Sequence, residues 1–400
     1  MTTPPFNPST HRDPASLVVG ATAGQVVGGL VAQMSPFMIG GLMSGFSLSE
    51  RDAGLVVSVE LFTLAVTAVA IAPLLPRFSD RRVSLAAITL ALLAQSASIF
   101  SASLPLLTLL RGLAGIGEGA LYAVSLSVVA SRCRNPDKVY GYFQVAWAVG
   151  SIALFPIGGY LTAAFAQRGI FALMAGVTLA LAPLLLLIPD ARANGGAGAA
   201  RAPAPTAPTF VPGVMTLAAI GLYLIASSAI YAFSAPLGKR AGLDTSTVGY
   251  VLTVATLVGI AGAGAATAIN VRWGRAIPIS SFFAGFALVV LALCFSRDPA
   301  VYVVALIGSV VIYYFSMPYL FGLAAALDRS GRWAATAGSA WLTGFAAGPL
   351  FAGGIIAEAG YEGLAGACVA ITASAWSLTA IVNRRVSGAL DAALPADPRV

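Results

Sequence analysis

One apolar stretch, Leu104–Ala130, is long enough to cross a bilayer as a helix and yet contains two charged residues, Arg111 and Glu118. The two residues are seven positions apart, so both lie on one face of a helix. A charged side chain at the bilayer centre costs about 2.5–3.5 kcal/mol on insertion scales. Because a helix with two such residues must turn them toward protein or water, the stretch predicts a polar interior built by neighbouring helices.

The composition agrees with an integral membrane protein. The 400 residues are 58% hydrophobic and 9% charged, with a mean hydropathy of +0.89. Apolar runs near the 20 or so residues that a crossing needs predict an all-α protein with twelve spans. The predicted spans are Leu17–Gly45, Gly54–Leu75, Ser84–Ser101, Leu104–Ala130, Val139–Phe165, Ile170–Ile188, Val214–Pro236, Val248–Ile269, Ile277–Phe295, Val301–Leu327, Ala334–Ala357 and Gly363–Val382.

A stretch rich in Ala, Pro and Gly separates the first six spans from the last six. Nothing in it could pack a core, so we expect a flexible linker. The predicted organisation is a tail (1–16), a six-helix bundle (17–188), the linker (189–212), a second six-helix bundle (213–383) and a tail (384–400).

Basic residues indicate the orientation. Sixteen Lys and Arg residues lie on the side of the tails and linker, five lie on the other side, and Arg111 lies within a span. This asymmetry predicts that both termini and the linker are cytoplasmic, and that the chain is a multi-pass protein of the inner (plasma) membrane. The formal charge of +7 is then a topology signal, and we expect no nucleic-acid partner.

The two halves resemble each other at an offset of 194 or 195 residues. Trp147, Gly158 and Gly159 of the first half correspond to Trp341, Gly353 and Gly354 of the second. A repeat this long in a chain of helices indicates a duplicated bundle. Two such repeats place a binding site between them near the membrane midplane.

With these features the chain resembles the major facilitator superfamily over its whole length. The resemblance rests on the six-plus-six layout, the basic loop 75–82, the span-four motif 110–115 that contains Arg111, and a partial span-five motif with Pro156 and Gly159. It implies a fold of two pseudo-symmetric six-helix bundles and a secondary transporter that works by alternating access. It also implies that the span-four arginine takes part in proton coupling, and that the span-five motif is associated with antiport.

Three intramembrane residues are candidates for proton coupling: Glu118 as the first carrier, Glu60 as the second, and Arg111 as the modulator of either. Ionisable groups in a membrane are functional candidates by default. The alternative is an internal salt bridge that only orients helices. Uncharged residues stand at the equivalent positions of the second half, which argues against a purely architectural need for the charges.

Polar and aromatic residues at helical spacing on other spans are candidates for substrate contacts. Such a lining suits an organic molecule of moderate size, and the alternative for each residue is helix packing or an interfacial belt. The candidates are Gln25, Gln33, Gln144, Trp147, Tyr223, Tyr231, Tyr313 and Met317.

The sequence therefore predicts a monomeric, proton-coupled transporter of a small organic molecule, with export favoured. The alternatives are uptake of an organic anion, with Arg111 as the partner of the substrate carboxylate, and a non-transporting membrane assembly protein of the same fold. We find no motif of an enzyme or nucleotide site and expect no cofactor. The three cysteines and one histidine lack metal-site spacing, so no metal is expected.

Overall fold

The computed structural model describes residues 14–190, 207–269, 272, 274–327 and 332–391. The predicted tail up to residue 13, most of the predicted linker (191–206) and the last nine residues lie outside the described residues. Short 3-10 helices lie at Ala72–Arg77 and Ala182–Leu187. The α-helices are Ala15–Gly28, Leu30–Gly45, Glu50–Ile71, Asp80–Phe100, Leu104–Arg132, Pro136–Leu181, Ala207–Ala232, Ser234–Arg240, Thr245–Ile269, Ala276–Phe295, Pro299–Ala326 and Arg332–Asp391.

In the described part of the chain, ten continuous helices are long and apolar enough to cross a membrane, and two of them contain two crossings each. A helix of 46 residues, such as Pro136–Leu181, would be about 69 Å long, more than twice the hydrocarbon thickness. Its backbone leaves the helical region at Ala166 (φ 51°, ψ −136°), and Gly169 packs against Leu161 across that point. Gly360 (φ 68°, ψ −173°) interrupts Arg332–Asp391 in the same way. The twelve predicted spans are therefore present.

Several boundaries differ from the predicted ones. Span one is two helices that meet at Gly29, where the Trp147 ring lies so close that a Cβ atom would collide with it. Span seven begins at Ala207, inside the predicted linker, and breaks at Phe233 before Ser234–Arg240. Span twelve continues to Asp391, beyond its predicted end, because no glycine or proline interrupts the helix there apart from an isolated Gly388.

The loops alternate between two faces of the bundle. The N-terminal face carries the start of span one and the loops around residues 72–79 and 133–135, and the opposite face carries the loops around 46–49, 166, 241–244 and 360. Contacts join the loops of each face. Gly45 approaches Gln167 on the opposite face, and Arg81 bonds the Ile188 carbonyl on the N-terminal face.

Four glycines bring the two halves into backbone contact near the opposite face. A Cβ atom at any of them would collide with a carbonyl oxygen of the other half: Gly54 with Pro349, Gly249 with Phe155, Gly353 with Glu50, and Gly159 with Thr245. The four contacts form two pairs related by the sequence repeat, since each partner lies 194 or 195 positions from its counterpart. The halves are therefore closed against each other on the opposite face, in a two-fold symmetric manner.

Small residues also pack the charged span inside the first half. Gly115 and Gly119 of span four approach the backbone of span two, and Gly117 approaches span three. Gly28 of span one packs on span four, where a Cβ atom would lie 3.0 Å from the Glu118 carbonyl oxygen. The glycines thus serve helix packing within the chain. They allow spans two and three to approach span four on the side that carries its charges.

Candidate functional site

The three intramembrane charges meet inside the first half. Arg111 donates from Nη1 to Glu60 Oε1 at 3.2 Å, and from Nη2 to the Ser98 hydroxyl at 2.7 Å and the Ala94 carbonyl at 3.2 Å. Its guanidinium also lies over the Phe171 ring of span six, 4.6 Å from the centroid. Because Glu60 lies on span two, this ion pair joins spans two and four.

Glu118 lies beside this pair and accepts a hydrogen bond of 2.8 Å from the Gln95 amide. The side-chain oxygen Oε1 of Gln95 in turn accepts from the Thr178 hydroxyl at 2.8 Å, so spans three, four and six are joined. Among the described residues, Glu118 Oε2 and Glu60 Oε2 have no hydrogen-bond partner. The cluster therefore contains two carboxyl groups, one guanidinium and unused acceptor capacity.

These charges are enclosed by protein and do not line a water-filled cleft between the halves. Glu60, Arg111 and Glu118 are each 0% exposed, and their contacts come from spans two, three, four and six. The physical reason is that the charged face of span four is also its glycine face, which packs closely against spans two and three.

The partners on span three and span six were missed from the sequence. Gln95 and Ser98 are three positions apart, on one face of a helix, and could have been recognised as a polar pair inside an apolar span. Thr178 and Phe171 carry no comparable signal, because a single threonine or phenylalanine is ordinary in a membrane helix.

On the first-half side of the interface, three of the substrate candidates form one hydrogen-bonded group. The Gln33 amide donates to the Trp147 carbonyl at 3.0 Å and to the Ser151 hydroxyl at 2.6 Å. The Trp147 indole donates to the Gln25 carbonyl at 3.3 Å. Gln144, one turn before Trp147 on span five, is exposed.

The second half contributes an aromatic wall, which we define as Tyr231, Tyr313, Trp341 and Phe345. Trp341 stacks on Phe345 at 5.4 Å and donates its indole N–H to the Tyr313 hydroxyl at 2.9 Å, while Tyr231 lies 6.4 Å from Phe345. The Tyr231 hydroxyl also donates to the Gln33 carbonyl at 2.7 Å, a contact that crosses between the halves. The aromatic wall therefore faces the group around Gln33 and Trp147.

Two of the substrate candidates lie elsewhere. Tyr223 is completely buried among Phe282, Phe283 and Phe286, and its hydroxyl accepts from Ser316 at 3.0 Å. It packs the core of the second half. Met317 is half-buried and packs against the same core.

On the N-terminal face, the basic loop after span two is held by its own half. Asp80 pairs with Arg132 at the end of span four, with 2.5 Å between Oδ2 and Nη2. The Ser79 hydroxyl bonds the Asp190 carboxylate and thereby lowers the pKa of Asp190 below its ordinary value. The exposed Arg82, whose Nε lies 3.7 Å from Asp190 Oδ1, adds little to the stability of the loop, since water screens such ion pairs. These contacts tie the loop to the ends of spans four and six.

Within the described residues, no group of three or more His, Cys, Asp or Glu side chains could hold a metal ion.

The family model described as Major Facilitator Superfamily matches residues 21–328. The chain belongs to this superfamily. Members are membrane transporters, so the chain is a multi-pass membrane protein of a transporter family. None of the curated proteins searched matches it.

Solved structures of the superfamily share its fold. A bacterial homologue of the human lysosomal transporter Spinster, in an inward-facing and unoccupied conformation, superposes with a TM-score of 0.70 at 15% identity, over 95% of this chain and 98% of that one. The same homologue in an occupied conformation gives 0.72 at 15% identity, with the same coverage. A D-xylose–proton symporter gives 0.69 at 16% identity, over 91% of this chain and 97% of that one. At these identities the likeness establishes the fold alone.

Proposed function

We propose that the protein is a proton-coupled secondary transporter that exports a small organic molecule by alternating access, with Glu118 as the proton carrier. The observation that carries the proposal is the charge count of the buried cluster. Two carboxyl groups share one guanidinium, and all three groups are withdrawn from water. Burying an ionised carboxylate without a charged partner costs several kcal/mol of free energy. The carboxyl group that is not paired with Arg111 avoids this cost by holding a proton.

The geometry favours Glu118 as the group that holds the proton. Arg111 is hydrogen-bonded to Glu60, and Glu118 has only the neutral Gln95 amide. In the conformation closed on the opposite face, Glu118 is therefore neutral and the Glu60–Arg111 pair is ionised. When a substrate arrives in this conformation, the Arg111 side chain turns from Glu60 toward Glu118 on the same helix, and Glu118 releases its proton to the cytoplasm. Glu118 takes up a proton again after the halves have opened on the opposite face. Glu60 is then the second carrier, and Arg111 the modulator of both.

The contacts of Arg111 favour export over uptake of an organic anion. All of its polar partners lie within the first half, and the side chain is 0% exposed, so it presents nothing to a substrate carboxylate. If the N-terminal face lies in the cytoplasm, as the basic residues indicate, the face on which the halves are closed lies outside, and we infer that the substrate site is reached from the cytoplasm. A substrate enters there and leaves after the halves exchange, while protons move inward across the inner membrane.

The substrate class follows from the aromatic wall and the Gln33–Trp147 group. Neither supplies a charged side chain, and both combine aromatic surface with a few hydrogen-bonding groups. Such a site suits a planar or cationic organic molecule that stacks on aromatic rings. Gln25, Gln33, Trp147, Tyr231 and Tyr313 are the proposed contacts, and Gln144 is a contact nearer the N-terminal face.

The proton on Glu118 is tested first by infrared spectroscopy of the purified protein at neutral pH. We expect a carbonyl band of a protonated carboxyl group in the wild type, and its loss in Glu118→Gln, in which the Glu60–Arg111 pair remains ionised. The matched control is Glu358→Gln, which changes an exposed glutamate outside the cluster. Retention of the band in Glu118→Gln would contradict the assignment.

Transport is tested in proteoliposomes with ethidium, a planar aromatic cation, as the probe. Wild-type protein should accumulate ethidium against its gradient when a pH gradient is imposed. Glu118→Gln should still exchange ethidium between equal concentrations but fail to accumulate it. Accumulation by Glu118→Gln would show that Glu118 is not an indispensable carrier, and failure of both proteins to bind or exchange ethidium would favour the assembly-protein alternative over a transporter of such cations.

A further inference from the structure

Where the two halves are closed on the opposite face, a serine side chain of the first half hydrogen-bonds backbone groups inside a helix of the second half. Ser58 of span two is buried, and its hydroxyl donates to the Ala346 carbonyl at 2.8 Å and accepts from the Leu350 amide at 2.8 Å. In a regular α-helix the carbonyl of residue 346 accepts the amide of residue 350. Here both groups bond the Ser58 hydroxyl instead of each other, so the Ser58 side chain fills a gap in the backbone hydrogen bonding of span eleven.

Proline 349 accounts for this gap. It lacks an amide hydrogen and its ring crowds the preceding turn, so span eleven is weakened at this point. The carbonyl of Pro349 also touches Gly54, one turn before Ser58 on span two. The bare backbone at Gly54 thus lets span two come near enough for the serine to reach the gap.

We propose that Ser58 is a latch that holds the protein in the conformation closed on the opposite face, and that it sets the balance between the two states of the transport cycle. When the halves part on that face, the hydroxyl must leave span eleven. The Ala346 carbonyl and Leu350 amide then pair with each other, and the helix straightens. The two groups have a partner in either state, so the latch exchanges hydrogen bonds and can open without leaving backbone groups unsatisfied.

The sequence repeat shows that the latch is one-sided. The counterpart of Ser58 in the second half is Thr253, which faces the corresponding contact between spans five and eight. Its hydroxyl donates to the Gly249 carbonyl of its own helix at 3.0 Å. The counterpart of Leu350 is Pro156, which has no amide hydrogen to offer. The glycine contacts are thus symmetric, but of these two described contacts only the one between spans two and eleven contains a bridging hydroxyl.

The latch is tested by measuring the separation of the halves in the full-length protein in lipid nanodiscs, without substrate. Spin labels at Arg168→Cys and Lys239→Cys, both exposed near the opposite face, report the separation by pulsed electron resonance. The background carries Cys133→Ser. We expect Ser58→Ala to shift the ratio of long to short distances toward the open form by about tenfold, since net losses of one to two hydrogen bonds are involved.

Thr253→Ala is the matched control, because it removes a hydroxyl at the repeat-equivalent position without breaking a contact between the halves. It should leave the distances unchanged. Gly54→Ala provides a second disruption of the same contact and should shift the ratio in the same direction as Ser58→Ala. Distances in Ser58→Ala equal to those of the wild type, or an equal shift in Thr253→Ala, would overturn the proposal.

The inference rests on alternating access but not on the proton carrier. The distances are measured without a substrate or a pH gradient, so a negative result for Glu118→Gln in transport leaves this test unaffected. Conversely, an inert Ser58 would leave the proton assignment unaffected.

Discussion

Because the buried cluster contains two carboxyl groups and one guanidinium, the effect of removing each carboxyl group on the free energy of unfolding can be predicted. Arg111 Nη1 lies 3.2 Å from Glu60 Oε1, and at an effective dielectric constant of about 20 this attraction amounts to about 5 kcal/mol. Glu60→Gln keeps a hydrogen-bond acceptor but removes this charge. Glu118 lies on the same face of span four as Arg111 and in the same buried cluster, so it can ionise and balance the guanidinium. We therefore expect Glu60→Gln alone to lower the free energy of unfolding by about 1–2 kcal/mol.

Glu118→Gln alone should change stability by less than about 1 kcal/mol, because a neutral carboxyl group is replaced by a neutral amide of similar shape. The double variant should lose about 3–5 kcal/mol, since Arg111 is then a buried charge without a counter-ion. The two substitutions thus show a coupling of about 2 kcal/mol.

The assay is reversible unfolding of the four proteins by SDS in mixed micelles, which yields a free energy of unfolding for each. Arg111→Met added to the double variant should restore part of the loss, because it removes the unpaired charge. Additivity of the two single changes to within about 0.5 kcal/mol would refute the view that Glu118 stands in for Glu60.

Two further predictions concern the helices that position the site. Gly117→Val should lower the free energy of unfolding by about 1–3 kcal/mol, because a Cβ atom at this position would lie 2.5 Å from the Ala87 carbonyl oxygen. Gly176→Ala is the control: a Cβ atom there would have nothing within 4 Å, so the variant should be neutral in the same SDS titration. Asp244→Ala should cost about 0.5–2 kcal/mol by removing the acceptor of the Thr247 amide at the start of span eight. Since the hydrogen bonds from Thr247 lower the pKa of Asp244, this contribution is present at neutral pH and is lost as the pH falls through the lowered pKa, which a pH series of melting temperatures measures.

The fold could be predicted from the sequence because its signals are strong and additive. Span length, hydropathy and the repeat of Trp147 and Trp341 each indicate two six-helix bundles. The boundaries were less predictable, as the two parts of span one show. The two helices meet at Gly29, where the Trp147 ring occupies the space of a side chain, and such a contact between distant segments leaves no local signal.

The residues of the buried charged cluster could be named from the sequence, but their surroundings could not. Charges within apolar spans mark Arg111 and Glu118 directly, whichever helices surround them. Whether they face water depends on how closely spans two and three approach, and that depends on Gly115 and Gly117 meeting particular backbone atoms. For the same reason the insertion of Ser58 into span eleven could not be foreseen, since one serine in an apolar span is more often bonded to its own helix.

The repeat shows how one architecture came to hold two different sites. At an offset of 195, Tyr313 of the aromatic wall is the counterpart of Glu118. At an offset of 194, Trp341 is the counterpart of Trp147, and the two indoles have different partners: Trp341 donates to Tyr313, and Trp147 to the backbone of span one. The same position on span four or span ten therefore carries a buried carboxyl group in one half and a hydroxyl of the aromatic wall in the other. Since the ordinary pKa of a tyrosine lies near 10 and that of a glutamate near 4.3, only the first half has a group at this position that can exchange protons near neutral pH. In the proposed mechanism, coupling therefore runs from a proton held in the first half to a substrate held against the second.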